Sequence, residues 1–409
     1  MRIEDLSFIH YNKDMMEKIQ QYNKEVLRNA LKALRSHNFQ FSILIFQLVL
    51  LLAITLLTSC QSLEQLSIDY MQPARISFPD ELKRVGIVNN VPENLPNLLA
   101  RQFTDAPDTE ADGLSRKTTY YNGTPALAIE SLAQAIADEQ YFEQVIICDS
   151  ALRAADTQLR AGGLSLEEIN QLCSDLGVDV LISLEALQMR EVREVGYIPE
   201  FGVFGGQVAV NVRPTINLYL PGRDTPVTTV NASDSIYWDE VGGSYNNVRN
   251  RLISEQEMVK QASDFAGTVP VKSLLPHWTT TERTYFTNGN IKMRDGVVYA
   301  REGQWDKAAE LWQQAYNSSK SAKKQCYAAY NLALAYEMQD NIEEALKWIT
   351  TALEKAATAD KVHLTEAEDA YTSGRNPVRF MLTHAYYKEL EKRHANIALL
   401  KAQLNRFSE

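Results

Sequence analysis

The 409 residues include four cysteines, and one of them, Cys60, has a setting the others lack. It closes a run of seventeen uncharged, mostly apolar residues, Phe41 to Leu57, through Leu57-Thr58-Ser59-Cys60. Basic residues precede the run (Arg28, Lys32, Arg35), no charge falls between Arg35 and Glu64, and small residues lead into the cysteine. That is the pattern of a secretory signal peptide. At ~1.5 Å per residue the run spans roughly 26 Å, short of the ~30 Å hydrocarbon core. The length favours a cleaved segment over the alternative, a retained signal anchor. Acidic residues (Glu4, Asp5, Asp14, Glu17, Glu25) are mixed with bases ahead of the run, unlike an ordinary signal n-region. Translation is therefore expected to start later, near Leu27 or Leu31, with residues 1–26 outside the natural product.

The remaining side chains offer little chemistry. Cys148 ends a strand-like run, Cys173 falls on the apolar face of a helix and Cys326 opens a helix of a repeat, so each reads as a small buried hydrophobe. A Cys148–Cys173 bridge stays open in an oxidising compartment. Past residue 59 the histidines are His277, His363, His384 and His394, scattered and without metal-ligand spacing. No GxSxG, HExxH, GxxxxGK[ST] or strand-linked GxGxxG occurs. The pairs Asp239-Glu240 and Glu343-Glu344 have the spacing of ordinary solvated surface. No catalytic residue, cofactor or metal ligand is named on this basis, and the chain is expected not to be an enzyme. The alternative is an envelope hydrolase or carbohydrate-acting enzyme whose site is assembled from residues distant in sequence.

Charge narrows the partners. The chain has 52 acids and 41 bases; residues 1–59 hold five and seven of these, which leaves 47 against 34, a net charge of −13. Phosphate backbones need a surplus of Lys and Arg, so nucleic acid is not expected as a partner. The 350 residues from Cys60 suffice for two or three domains.

The elements that would position any site alternate first between strand and helix. Val85-Gly86-Ile87-Val88 and Val145-Ile146-Ile147-Cys148 read as buried strands, and Thr124-Pro125 opens a helix between them. Residues 104–118, rich in aspartate, read as a loop. Ser165 and Glu168 form a capping-box pattern ahead of an apolar stripe ending at Gly177, and Val178 to Leu184 follows as a strand. Antiparallel strands are expected over 208–218 and 227–230, a helix over 246–266, and a boundary at Pro270, Pro276 and the threonines 279–281. Gly296, Tyr299, Ala308, Trp312 and Ala315 then recur as Ala333, Tyr336, Ala345, Ile349 and Ala352, offset by 37 residues. Two further helices are expected between Phe380 and Leu404.

Several stretches resemble known families. Leu57-Thr58-Ser59-Cys60 resembles the bacterial lipobox, which implies that Cys60 is acylated, becomes the new N-terminus and holds the protein to a membrane by lipid. Gln61 stands where aspartate signals inner-membrane retention, so the outer membrane of the bacterial envelope is the expected location. The 37-residue repeat, strongest over Asn331 to Tyr336 with Glu344-Ala345-Leu346, resembles the tetratricopeptide repeat. The stretch LCSDLGVDVLISLEAL (172–187) resembles envelope α/β domains of the TolB amino-terminal and curli-secretion-lipoprotein kind. The lipobox, SIDYMQPARISFP (67–79), VGIVNN (85–90) and the carboxyl-terminal repeats together resemble a Gram-negative envelope lipoprotein family of unknown function.

The expected fold class is α+β. A mixed α/β, sandwich-like domain over 81–275 precedes an all-α tetratricopeptide-repeat domain over 285–409. Ahead of them come a signal helix within 1–59 and a lipid-anchored tether over 60–80, in which the alternation around Ser67-Ile68-Asp69-Tyr70 reads as an edge strand. The repeat resemblance implies a partner groove at Tyr327, Tyr330, Leu334, Glu337 and Met338, with packing inside the chain as the alternative for the same side chains. Tyr197, Phe201 and Phe204 flank a glycine-rich hairpin tip and are candidates for a contact loop. The expected function is a protein-interaction scaffold for other envelope proteins. The oligomeric state is left open, and the curli resemblance keeps a ring or pore as a further alternative.

Overall fold

The structure, a computed structural model, describes residues 24, 28, 63–92, 114–148, 152, 153, 156, 162–362 and 377–405. They fall into two units, one sheet-centred over Arg75–Leu275 and one mainly helical from Pro276 onward. The expected signal helix, Ser59 and Cys60 lie outside the described residues. The first described strand, β1 (Leu63–Gln72), belongs to the helical unit.

In the sheet unit, β2 (Arg84–Asn89) has Val85, Ile87 and Val88 fully buried. Such a continuous apolar run suits a strand covered on both faces. After β3 (Leu114–Asn122) and helix α1 (Pro125–Asp138) comes β4 (Gln144–Ile147), parallel to β2. Helix α2 (Leu166–Leu176) starts with both hydrogen bonds of the Ser165/Glu168 capping box and ends on Gly177 in the left-handed region, φ 63°. Those local signals set its two ends. Two long strands follow, β5 (Val180–Ile198) and β6 (Val203–Tyr219), paired as one hairpin with a register shift between Leu184 and Ala186.

The first part of β5 is parallel to β2 and its second part pairs with β3, so residues 114–118 are strand where the composition suggested loop. β6 likewise pairs with β7 (Thr228–Asn231) near one end and β8 (Asp234–Gly242) near the other. The helix expected over 246–266 is two, α3 (Tyr245–Arg251) and α4 (Glu255–Thr268), because Ser254 caps a new start with a bond from the Glu257 amide. The short α5 (Val271–Leu274) closes the unit. Helices α1, α3, α4 and α5 share one core, while α2 packs with Leu181 and Tyr219 in another.

In the helical unit β1 pairs antiparallel along its length with β9 (His277–Phe286), more than 200 residues away. The threonines 279–281 are therefore strand, while the two units part between Leu275 and Pro276. The edge strand read around Ser67–Tyr70 extends over Leu63–Gln72, so less of 60–80 is tether than expected. Alternation in HWTTTERTYF and the β preference of threonine are the signals for β9. Two helical hairpins follow: α6 (Ile291–Arg301) with α7 (Trp305–Ser318), and α8 (Ala322–Met338) with α9 (Ile342–Asp360). The 37-residue repeat is thus also a repeat of structure, with Ala308, Trp312 and Ala315 buried like Ala345, Ile349 and Ala352. Beyond Pro377 the expected helix pair is one helix, α10 (Val378–Leu404), whose 27 residues include neither glycine nor proline.

Candidate functional site

The expected contact loop is a tight turn. Residues 199–202 connect β5 to β6, so Phe204 already lies in the strand, partly buried against the core. Tyr197 is 49% exposed and its ring meets that of Phe204 at 5.2 Å, while Phe201 is half-buried. Of the three, Tyr197 offers the most surface.

A polar cluster sits where β2 and the first part of β5 end. Arg153, nearly buried, donates from Nε to Asn90 (2.6 Å) and from Nη1 to Glu168 (2.8 Å). Asn90 donates to Glu185 (2.5 Å), which also accepts from the buried Tyr219 hydroxyl (3.3 Å). The hydrogen bond from Arg153 holds the Glu168 carboxyl at about 2, far below its ordinary 4.5. A carboxylate with a lowered pKa stabilises the fold above its unfolded value and loses that contribution as pH falls. Glu168→Gln should therefore cost about 1–2 kcal/mol at neutral pH, after discounting for its partial exposure. Variant and parent should converge between pH 4.5 and about 2, as read from urea midpoints across that range.

Elsewhere burial raises the thiols of Cys173 and Cys326, the latter to about 11, so neither is a ready nucleophile at neutral pH. Cys148 and Cys173 are free thiols.

The helical unit brings together most of the expected groove residues, but the chain itself fills that groove. Tyr330, Leu334 and Glu337 are buried; Tyr327 and Met338 are partly so. The Phe286 ring stacks on Tyr327 at 3.8 Å and meets Tyr330 edge-on at 5.3 Å. Asn331 clamps the backbone of Phe286, accepting from its N–H and donating to its carbonyl, both at 2.8 Å. Strand β9 thus covers the candidate groove, and these side chains pack inside the chain, the other reading the sequence allowed.

Glu337 is the centre of this arrangement. Its buried carboxylate accepts two bonds from Arg283 (3.0 Å each), one from the Tyr386 hydroxyl (2.6 Å) and one from Arg393 (3.1 Å). Arg393 also donates to Asp340 (2.9 Å), so two guanidiniums face two carboxylates. The Arg283 guanidinium lies over the Tyr386 ring at 5.0 Å, and that of Arg393 over Tyr70 at 4.6 Å. Burial lowers the Arg283 pKa, but the bond to Glu337 and its charge more than reverse this. Burial, then the charge of Glu337, pushes the Tyr386 hydroxyl well above its ordinary range. The cluster ties β9, α8 and α10 together. Sequence reading placed Glu337 here but missed Arg283 and Arg393, which lie on other elements with no local motif, and Asp340, in the turn just past α8.

Beside the cluster lies a cleft of about 870 Å³, bounded on one side by the seven consecutive residues Ser67–Pro73 of β1 and its end. On the other side α10 presents Arg393, Ile397, Leu400 and Leu404, at helical spacing. Trp278, 64% exposed, stands at its rim opposite Met71. Gln403 of α10 holds the chain just past β1, accepting from the Ala74 N–H (2.9 Å) and donating to its carbonyl (3.1 Å).

Residues 82–286 match a family model described as Domain of unknown function (DUF8603), and residues 294–392 match one described as Domain of unknown function (DUF6340). The first match takes in half of the 409 residues, so the chain belongs to the DUF8603 family. No curated protein matches the chain. The first match ends on Phe286, the last residue of β9.

Proposed function

We propose that this protein is a lipid-anchored interaction scaffold of the bacterial envelope, held at the outer membrane through Cys60, with its helical hairpins acting as tetratricopeptide-type repeats. The observation that carries the reading is the distance in sequence between anchor and fold. Only Gln61 and Ser62 separate Cys60 from β1, which is paired with β9 throughout and tied to α6 by the bidentate Glu64–Arg301 ion pair. A lipid on Cys60 would therefore hold the helical unit close against the membrane surface, with the cleft beside β1 turned to whatever passes there.

The test is Cys60→Ser with radioactive palmitate labelling and membrane fractionation. Each acyl methylene adds ~0.8 kcal/mol to membrane binding, so the parent should pellet with membranes and carry label. The variant should lose the label and be released. A variant that still labels and pellets overturns the anchor.

A further inference from the structure

We infer that the outer edge of β1 is a docking site for an extended peptide, apolar at alternate positions, that adds a third strand to the β1–β9 ribbon. This rests on the reading of the chain as an interaction protein and names the surface and the partner chemistry.

The backbone directions follow from one contact. Asn331 takes both the N–H and the carbonyl of Phe286, so the Leu63–Phe286 pair of the ribbon is a non-hydrogen-bonded one. Pairs alternate along an antiparallel ladder, and the register from Leu63 to Gln72 runs without a shift. The N–H and carbonyl groups of Ser67, Asp69 and Met71 therefore point away from β9. Among the described residues no other strand pairs with this edge.

The cleft runs along that edge. A cavity over one face of a strand touches alternate residues, whereas this one touches every residue from Ser67 to Pro73. At about 3.3 Å per residue that is roughly 20 Å of edge, enough for five to six residues of extended chain. Three residues with outward groups supply up to six hydrogen bonds, the main-chain source of affinity in strand addition. Opposite stand Ile397, Leu400 and Leu404 of α10, with Trp278 and Met71 at the rim, to receive apolar side chains at every second position.

Charge in the lining is balanced. Of the acids in the lining, Glu337 and Asp340 are paired with arginines. The carboxylates of Asp69 and Glu389 are matched in number by Lys392 and Lys401, on exposed positions of α10. A peptide without net charge suits that balance.

The test uses the detergent-solubilised full chain and two fluorescein-labelled nine-residue peptides, one of alternating valine and threonine and one of the same length with proline at every second position. The first should bind saturably and the second about tenfold more weakly, one order for each ~1.4 kcal/mol. Asp69→Ala keeps both backbone groups and is the reference for the proline variant. Asp69→Pro, which removes one outward N–H at an edge where proline is tolerated, should bind about tenfold more weakly than that reference.

If Asp69→Pro does not fold, backbone N-methylation of the peptide decides. Methylating alternate amides of one parity should abolish binding and of the other parity leave it; equal effects overturn the assignment. Absence of saturable binding overturns it too, as does self-association of the chain that Asp69→Pro abolishes, which would make a second copy the occupant. If peptides fail while photo-crosslinkers elsewhere on the chain still capture defined envelope proteins, the slot falls and the scaffold stands. Peptide binding in a protein that captures no such protein, from the slot or elsewhere, keeps the slot and removes the scaffold.

Discussion

Glu337→Ala will destabilise the helical unit by about 3–5 kcal/mol, the cost typical of breaking a buried ion pair from one side. The carboxylate is buried and accepts four hydrogen bonds, from Arg283, Tyr386 and Arg393. Removing it leaves the Arg283 guanidinium, only 6% exposed, with Thr281 as its remaining hydrogen-bond partner. Arg393 keeps Asp340 and is harmed less. The measurement is urea unfolding followed through hydrogen exchange of helix α8, so that the two units are read separately. Glu337→Gln keeps two acceptor lone pairs but not the charge and should fall between parent and alanine. Glu337→Leu combined with Arg283→Met should recover most of the loss, because a buried pair replaced by apolar groups of similar volume is often nearly neutral. A Glu337→Ala protein within 1 kcal/mol of the parent would show that the cluster does not hold the unit together.

The second large effect is expected at Gly267, where α4 crosses α1. A Cβ there would stand 2.2 Å from the Ala128 carbonyl oxygen and 2.9 Å from the Leu132 backbone nitrogen. Both obstacles are backbone, so neither can turn aside as a side chain would. The helices must separate, and the core around Ala128, Leu132, Ala262 and Ala266 loosens with them. Overpacking of this kind costs about 1–3 kcal/mol and occasionally more, against a gain of ~1 kcal/mol from alanine's better helix propensity. Gly267→Val, larger and without that gain, should lower the stability of the sheet unit by at least about 3 kcal/mol. Gly162→Ala, with nothing within 4 Å of its added carbon, serves as the control and should be nearly silent. Equal urea midpoints for Gly267→Val and the parent would contradict the close crossing.

These two sites differ in how far they could be read ahead of the fold. Helix α2 was legible from end to end, since Ser165, Glu168 and Gly177 act within three or four residues of the backbone groups they satisfy. The 37-residue repeat was legible for a related reason: each hairpin closes on itself through contacts fewer than about thirty residues apart, such as Trp312 Nε1 to the Met293 carbonyl. Strand β3 was missed because Arg116, Lys117 and the neighbouring aspartates look like loop, and only β5 alongside makes them a ladder. Strand β9 was taken for a boundary although its threonines alternate, because its partner β1 lies at the other end of the chain.

The candidate groove shows the division most sharply. Its positions on α8 follow from the repeat spacing, which places Tyr327, Tyr330, Leu334 and Glu337 along one helix face. Whether that face meets a partner or the chain itself depends on Phe286, Arg283, Tyr386 and Arg393, which lie 41 to 56 residues from their contacts on α8. The caps and the repeat are written in side chains that act on their own neighbourhood, so the order of residues alone determined them. The filled groove, the buried Glu337 cluster and the open edge of β1 come from pairings whose partners the chain must bring together across tens to hundreds of residues. No local periodicity encodes such a pairing, and only the tertiary structure decided it.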